Sequence, residues 1–276
     1  IDPALTGGQA WEPKNYDGKF DGPLRLRQGL AKSKNLVSIR ILQAIGPAYA
    51  RDWVTRFGFD ADKHPAFLTM ALGAGSVTPW QMLSAYGVFA NGGYRVNPYL
   101  ITRVTDSAGK VLMESKPLVA GDEANRAIDA RNAFVMDSLM KDVARYGTAA
   151  RAGATLKRSD IAGKTGTTND SHDAWFAGYG GDLVAVSWLG FDQPRPLGER
   201  ETGGGQALPI WISYMSKALS GVPESVREMP PGVVQLGGEV YFAEHQPGQG
   251  VASVGVDEAM PVEEQARRDT VRDQIF

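Results

Sequence analysis

The sequence predicts an α+β protein in which helices pack against an antiparallel sheet. Two observations predict it. Helical segments dominate the first half of the chain, and three strand-like segments follow one another after residue 160. Turns of a few residues join those three, and neighbours joined so tightly must be antiparallel, because a parallel pair needs a crossover. Helices first and consecutive strands later is the α+β order. The 276 residues, 43% of them hydrophobic, suffice for one large domain or two small ones.

Taken in order, Gly22-Pro23 opens a helical stretch from Leu24 to Lys32, which stops at Ser33-Lys34-Asn35. Leu36 to Ile45 has apolar residues at helical spacing and ends at Gly46-Pro47. Tyr49 to Phe57 is a short helix closed by Gly58. Thr78-Pro79-Trp80-Gln81 reads as a capping box with proline at the first helical position, and its helix runs to Ala90 before Asn91-Gly92-Gly93. Tyr99 to Thr105 and Val111 to Ser115 form a hairpin across Asp106-Ser107-Ala108-Gly109. An amphipathic helix spans Asp129 to Arg145. The three strands are Ile161 to Thr168, Asp173 to Tyr179 and Leu183 to Phe191, and a helix follows from Leu208 to Leu219. Residues 1–230 read as the domain. Residues 231–276, Gly-rich and irregular after Pro230-Pro231, read as a C-terminal extension or tail.

Composition excludes several chemistries. There is no cysteine, hence no disulfide framework, thiol nucleophile or thiolate metal site. The presence of only three histidines also argues against a multi-His metal centre. A net charge of −2 gives no reason to expect a nucleic-acid partner. The best apolar run, Leu183 to Phe191, is strand-sized, far short of the roughly 20 residues of a membrane span. No signal peptide stands at Ile1, and the abrupt start reads as a fragment of a longer protein.

The strongest chemical signal is Lys164-Thr165-Gly166-Thr167-Thr168. Glycine weakens a strand interior and often marks a place where a ligand's backbone comes close. Alternation puts Thr165 and Thr167 on one face and Lys164 on the other. A cation beside hydroxyls on a strand edge suits a substrate carrying a carboxylate. The second signal is Ser33-Lys34-Asn35 at a helix junction. Alone it is ordinary capping chemistry, with Asn35 placed to cap the following helix. Its value comes from pairing: a Ser-x-Asn upstream of a Lys-Thr-Gly strand is the combination of the serine penicillin-binding enzymes.

On these residues the chain resembles class A penicillin-binding proteins, the bifunctional peptidoglycan synthases. Trp11-Glu12-Pro13-Lys14-Asn15-Tyr16-Asp17-Gly18 is similar to the family's lead-in to the second motif. Leu24 to Asn35 resembles the second-motif helix and loop, and Gly73 to Gly93 the helix after it. Gly163 to Thr168, Asp173-Ala174-Trp175-Phe176 and Trp188-Leu189-Gly190-Phe191-Asp192 resemble the third-motif strand and its two neighbours.

The resemblance implies a serine β-lactamase/transpeptidase-like fold that is incomplete here, its N-terminal strands and nucleophile helix missing. It implies a D,D-transpeptidase that cross-links peptidoglycan stem peptides ending in D-Ala-D-Ala and is a target of β-lactams. The parent is expected also to be a glycosyltransferase, held on the outer, periplasmic side of the cytoplasmic membrane by an anchor absent here. The nucleophilic Ser-x-x-Lys is expected upstream of Ile1, so the fragment alone should be inactive and should need its missing N-terminal segment. By the same resemblance Ser33, Asn35 and Lys164 are catalytic, and no metal or other cofactor is required. Ser33 relays protons, Asn35 donates to the substrate amide, and Lys164 supplies positive potential. Thr165, Gly166, Thr167 and Thr168 bind substrate, the Thr167 N–H forming half of an oxyanion hole. Two other Ser-x-x-Lys strings, at Ser107 to Lys110 and Ser138 to Lys141, lie in the wrong order and context, and Ser171-His172-Asp173 is too local to be a triad. A β-lactamase-like hydrolase and a non-enzymatic penicillin-binding sensor remain as alternatives. The first lacks a Glu-x-x-x-Asn base between the two motifs.

Overall fold

The computed structural model describes residues 1, 3–8 and 10–249; of the extension or tail expected over residues 231–276, residues 250–276 lie outside the described residues and the part before them carries a hairpin. Helix α1 (Leu26–Ala31) is too short to persist alone and is held by burial of Arg27, Gly29 and Ala31. Gly29 is required there, because a Cβ would stand 2.8 Å from Val37. Helix α2 (Asn35–Ile45) begins one residue earlier than its apolar pattern suggests. The expected Asn35 cap is corrected: Lys34 occupies the N-cap position, and Asn35 is the first helical residue. The physical reason is Ser33, whose left-handed φ of 53° completes the turn before Asn35 is reached.

Gly46, at φ 90°, separates α2 from α3 (Pro47–Trp53), and a 3₁₀ turn to Phe57 continues it. Helix α4 (Pro79–Ala90) carries the expected capping box in full: Thr78 accepts from the Gln81 N–H, and Gln81 reaches back to the Thr78 N–H at 3.0 Å. Strands β1 (Arg103–Thr105) and β2 (Val111–Glu114) make the expected hairpin, exposed along its whole length. Helix α5 (Ala130–Arg145) starts behind Asp129, which accepts from the Arg131 N–H at 2.8 Å. Helix α6 (Ala150–Leu156) was not anticipated.

The central sheet has the order β3 (Ala162–Thr167), β4 (Ala174–Gly180), β5 (Leu183–Leu189), antiparallel throughout as expected. A π-helical turn, Gly203–Ala207, leads into α7 (Leu208–Ala218). The chain closes with a hairpin of β6 (Val233–Leu236) and β7 (Glu239–Phe242).

The sheet lies between two helical layers. On one face Phe176 packs edge-on against Trp211 of α7 at 4.9 Å, in a cluster with Ile161, Leu208 and Met215. On the other face Ala162 and Tyr179 meet Met140 of α5 and Tyr86 and Phe89 of α4. Each fully buried large apolar side chain stabilises this sandwich by about 1.5–3 kcal/mol. The result fixes β3 as an edge strand among the described residues, with α5 beside it and Ser33, just past α1, bonded to its Lys164.

Candidate active site

Ser33 follows α1 in a conformation that glycine usually occupies, so something must hold it there. Lys34 does. Its side chain is 5% exposed and pairs with Asp17 at 2.7 Å and with Asp21. The hydrogen bonds to Asp17 and Asp21 hold its ammonium above the ordinary lysine pKa. The lead-in loop is stitched to the same junction: Asn15 accepts from the Leu36 N–H at 3.2 Å, and the Asn35 amide donates to the Lys14 carbonyl at 2.9 Å. Asn35 therefore ties the loop to the junction, and no hydrogen bond joins it to Lys164 among the described residues.

Lys164 is brought to Ser33 across 131 positions of sequence, donating to its hydroxyl at 2.7 Å and to the Thr165 carbonyl at 3.0 Å. Two of its three ammonium protons are thereby placed, and one remains for a ligand. Burial pulls the ammonium down to about 8, with no charged neighbour among the described residues offsetting it. A cation in this state attracts a carboxylate and polarises the Ser33 hydroxyl.

The register settles which β3 groups face outward. Lys164 pairs with Ala177 and Gly166 with Trp175, on the α4–α5 face; Thr165 pairs with Phe176 and Thr167 with Ala174, on the α7 face. The Thr168 N–H bonds the Asp173 carbonyl at 3.2 Å. Antiparallel alternation then turns the Thr167 N–H to the open edge, the same side as the Thr165 carbonyl that Lys164 reaches. An outward N–H one residue beyond Gly166, near a cation, is suited to stabilising a developing oxyanion.

The remaining hydroxyls are partnered. Thr165 shares a 2.7 Å hydrogen bond with Thr148, Thr167 accepts from the Gly203 N–H at 3.0 Å, and Thr168 accepts from the Asp173 N–H at 2.8 Å, closing the β3–β4 turn. A second glycine crowds the same strand: a Cβ on Gly203 would stand 2.3 Å from the carbonyl oxygens of Gly166 and Trp175, whereas a Cβ on Gly166 itself would meet the Trp175 side chain at 3.2 Å.

The decoy strings are not brought to this place. Ser107 lies exposed in the β1–β2 turn. The Ser138 hydroxyl bonds Arg27 at 3.1 Å, and Lys141 pairs with Asp137 at 2.8 Å. Asp173 accepts from the Trp188 indole N–H at 2.7 Å.

The family described as penicillin binding protein transpeptidase domain matches residues 2–187. The chain belongs to that family. Penicillin-binding protein 1A of Neisseria lactamica is 51% identical over 238 residues, covering 86% of this chain and 30% of the relative. Penicillin-binding protein 1A of Pseudomonas aeruginosa is 44% identical, covering 83% of this chain and 33% of the relative. Among solved structures, penicillin-binding protein 1A from Haemophilus influenzae superposes with a TM-score of 0.77 at 39% identity, over 82% of this chain and 39% of that one. The chain spans about a third of the length of the curated relatives it matches.

In this penicillin-binding transpeptidase chain the sequence singled out Ser33, Lys164 and the threonines but passed over Gly147, Thr148 and Gly203. Thr148 donates its N–H to the Ala31 carbonyl at 3.0 Å, and a Cβ on Gly147 would stand 2.2 Å from that same oxygen. The available signal, a glycine just past a long helix, says only that the helix stops.

Proposed function

We propose that this chain is the C-terminal part of a peptidoglycan D,D-transpeptidase domain acting through an acyl-serine. The observation that carries the reading is the 2.7 Å contact between Lys164 and Ser33, which joins two motifs at the open edge of β3.

In the reaction, a serine of a Ser-x-x-Lys helix attacks the carbonyl between the two terminal D-alanines of a stem peptide, and the lysine of that motif takes its proton. Ser33 passes a proton to the departing amine, and D-alanine leaves. An amine from a neighbouring strand attacks the ester, releases the serine and forms the cross-link. Splitting one acyl transfer in two lowers each barrier. Lys164 and the Thr165 and Thr167 hydroxyls take the terminal carboxylate, Asn35 turns toward the substrate amide when the site is filled, and Gly166 and Thr168 shape the strand. The Thr167 N–H and the nucleophile's own N–H hold the oxyanion, each worth about 2.7–4 kcal/mol of barrier. β-Lactams acylate the same serine.

That serine lies outside these residues. Among the described residues Ser107 and Ser138 occupy other surroundings, and Ser33 already serves Lys164. Among the described residues the outer edge of β5 is unpaired, beside an apolar groove of Trp80, Leu83, Val184, Val186 and Tyr214. Glycosyl transfer and a membrane anchor belong to the rest of the full-length protein, with this domain on the outer face of the cytoplasmic membrane. Among the described residues no helix is long and apolar enough to cross a membrane.

The test is labelling with a fluorescent penicillin followed by peptide mapping. The full-length protein is expected to carry one covalent adduct, on a Ser-x-x-Lys outside these 276 residues, and the isolated chain none. An adduct on Ser107 or Ser138, or no adduct on the full-length protein, overturns the assignment.

A further inference from the structure

One residue outside both motifs touches the carriers of both. The Thr148 N–H bonds the Ala31 carbonyl, two residues before Ser33, and its hydroxyl bonds the Thr165 hydroxyl at 2.7 Å. The approach is possible only because residue 147 is glycine, a Cβ there standing 2.2 Å from the Ala31 oxygen. The loop leaving α5 is thus wedged between the Ser33 helix and the Lys164 strand.

The hydroxyl bond has a consequence for ligand binding. Each threonine hydroxyl has one proton and two lone pairs. Two hydroxyls that share one hydrogen bond consume one proton and leave one. Whichever of the two donates, the other's proton stays free, and bonded hydroxyls polarise each other. Thr148 itself offers no charge, so its contribution is to fix where that proton points.

We propose that Thr148 is a positioning residue for the substrate's terminal carboxylate. It holds the Thr165 hydroxyl so that the pair presents a single donor to the anion beside the Lys164 ammonium. This rests on the transpeptidase reading, since it names the ligand group that the pair receives. Thr148 touches neither Ser33 nor Lys164 by its side chain among the described hydrogen bonds, so it acts through Thr165.

The experiment compares second-order acylation of the full-length protein by benzylpenicillin and by its methyl ester, which lacks the anionic carboxylate. Thr148→Val keeps the branched shape and the backbone bond to Ala31 while removing the hydroxyl. It is expected to slow acylation by the free acid about tenfold, the scale of one hydrogen bond to a charged group, and to leave the ester's slower rate unchanged. Thr148→Ser is expected to restore the free-acid rate. An equal loss with both compounds makes Thr148 merely structural and overturns the proposal, as does an unchanged free-acid rate. Failure of the wild-type protein to acylate at all is a separate result: it removes the acyl-serine reading, and this one with it.

Discussion

Ser33 sits in a left-handed conformation that costs a non-glycine residue roughly 1–3 kcal/mol, and the lysine beside it, locked between two aspartates, holds it there. The strain sets the serine hydroxyl opposite the Lys164 ammonium. Ser33→Ala is expected to slow acylation by penicillin about a hundredfold or more, the range of a lost proton-transfer group, with the melting temperature unchanged. Lys164 adds a pH dependence. Because burial holds its ammonium at about 8, acylation by a carboxylated ligand is expected to decline as pH rises through about 8. Lys164→Arg, whose guanidinium stays charged, moves that decline to higher pH in a stopped-flow series. For stability the sign is opposite. The folded pKa lies below the ordinary lysine value of 10.5, so the unfolded chain binds more protons between about 8 and 10.5, and this group's contribution to stability rises with pH across that window. The motif residues were legible because their chemistry is local in sequence. Thr148 and Gly203 were not, because each matters for contacts distant in sequence, among them Thr165 and Thr167, 17 and 36 positions away.

Among the elements, the start of β3 depends on Asp160. Its carboxylate is almost fully buried, accepts from Arg158 through both oxygens, and accepts the N–H groups of Gly181 and Ser225 at 2.9 Å. Burial raises its pKa, but Arg158 and the two backbone donors outweigh it and bring it to about 2. The stabilisation is therefore complete above the ordinary aspartate value of 3.8 and lost as pH falls through about 2. Asp160→Asn is expected to cost about 3 kcal/mol in urea unfolding at neutral pH, since it leaves Arg158 without its anion. Gly203→Ala drives a Cβ into two carbonyl oxygens and is expected to cost about 1–3 kcal/mol by the same measurement. The capped helices and the three strands were readable because caps, turns and alternation are near-neighbour signals. Helix α6 was not, since Gly153 interrupts it and exists for tertiary reasons: a Cβ would lie 2.5 Å from the Ala144 carbonyl. The β6–β7 hairpin did carry a signal, Gly237-Gly238 at φ 57° and 82° between two apolar runs, which the prolines before it obscured.

Across the whole molecule, Arg27 joins pieces that sequence order keeps apart. From α1 it reaches Asp142 of α5 and Glu239 of β7, each at 2.8 Å, with side-chain exposures of 10%, 4% and 16%. The hairpin at residues 233–242 is therefore fastened to the helix that presents Ser33. Removing the guanidinium leaves Asp142 to Arg145 and Glu239 to Arg25, both exposed arginines, so Arg27→Ala is expected to cost about 1.5–3 kcal/mol in thermal or urea unfolding and to weaken penicillin labelling along with it. The α+β class and the antiparallel sheet followed from segment order, but the wrapping of the C-terminal hairpin onto α1 did not, because a pairing 212 residues apart leaves no periodic trace. The central claim is that Ser33, Lys164 and the open edge of β3 form one half of an acyl-serine site. A crystal structure of the full-length protein acylated by a β-lactam tests it most directly. The acyl carbonyl oxygen is expected within hydrogen-bond reach of the Thr167 N–H and the ligand carboxylate beside Lys164; an adduct bound away from the β3 edge would rule this site out.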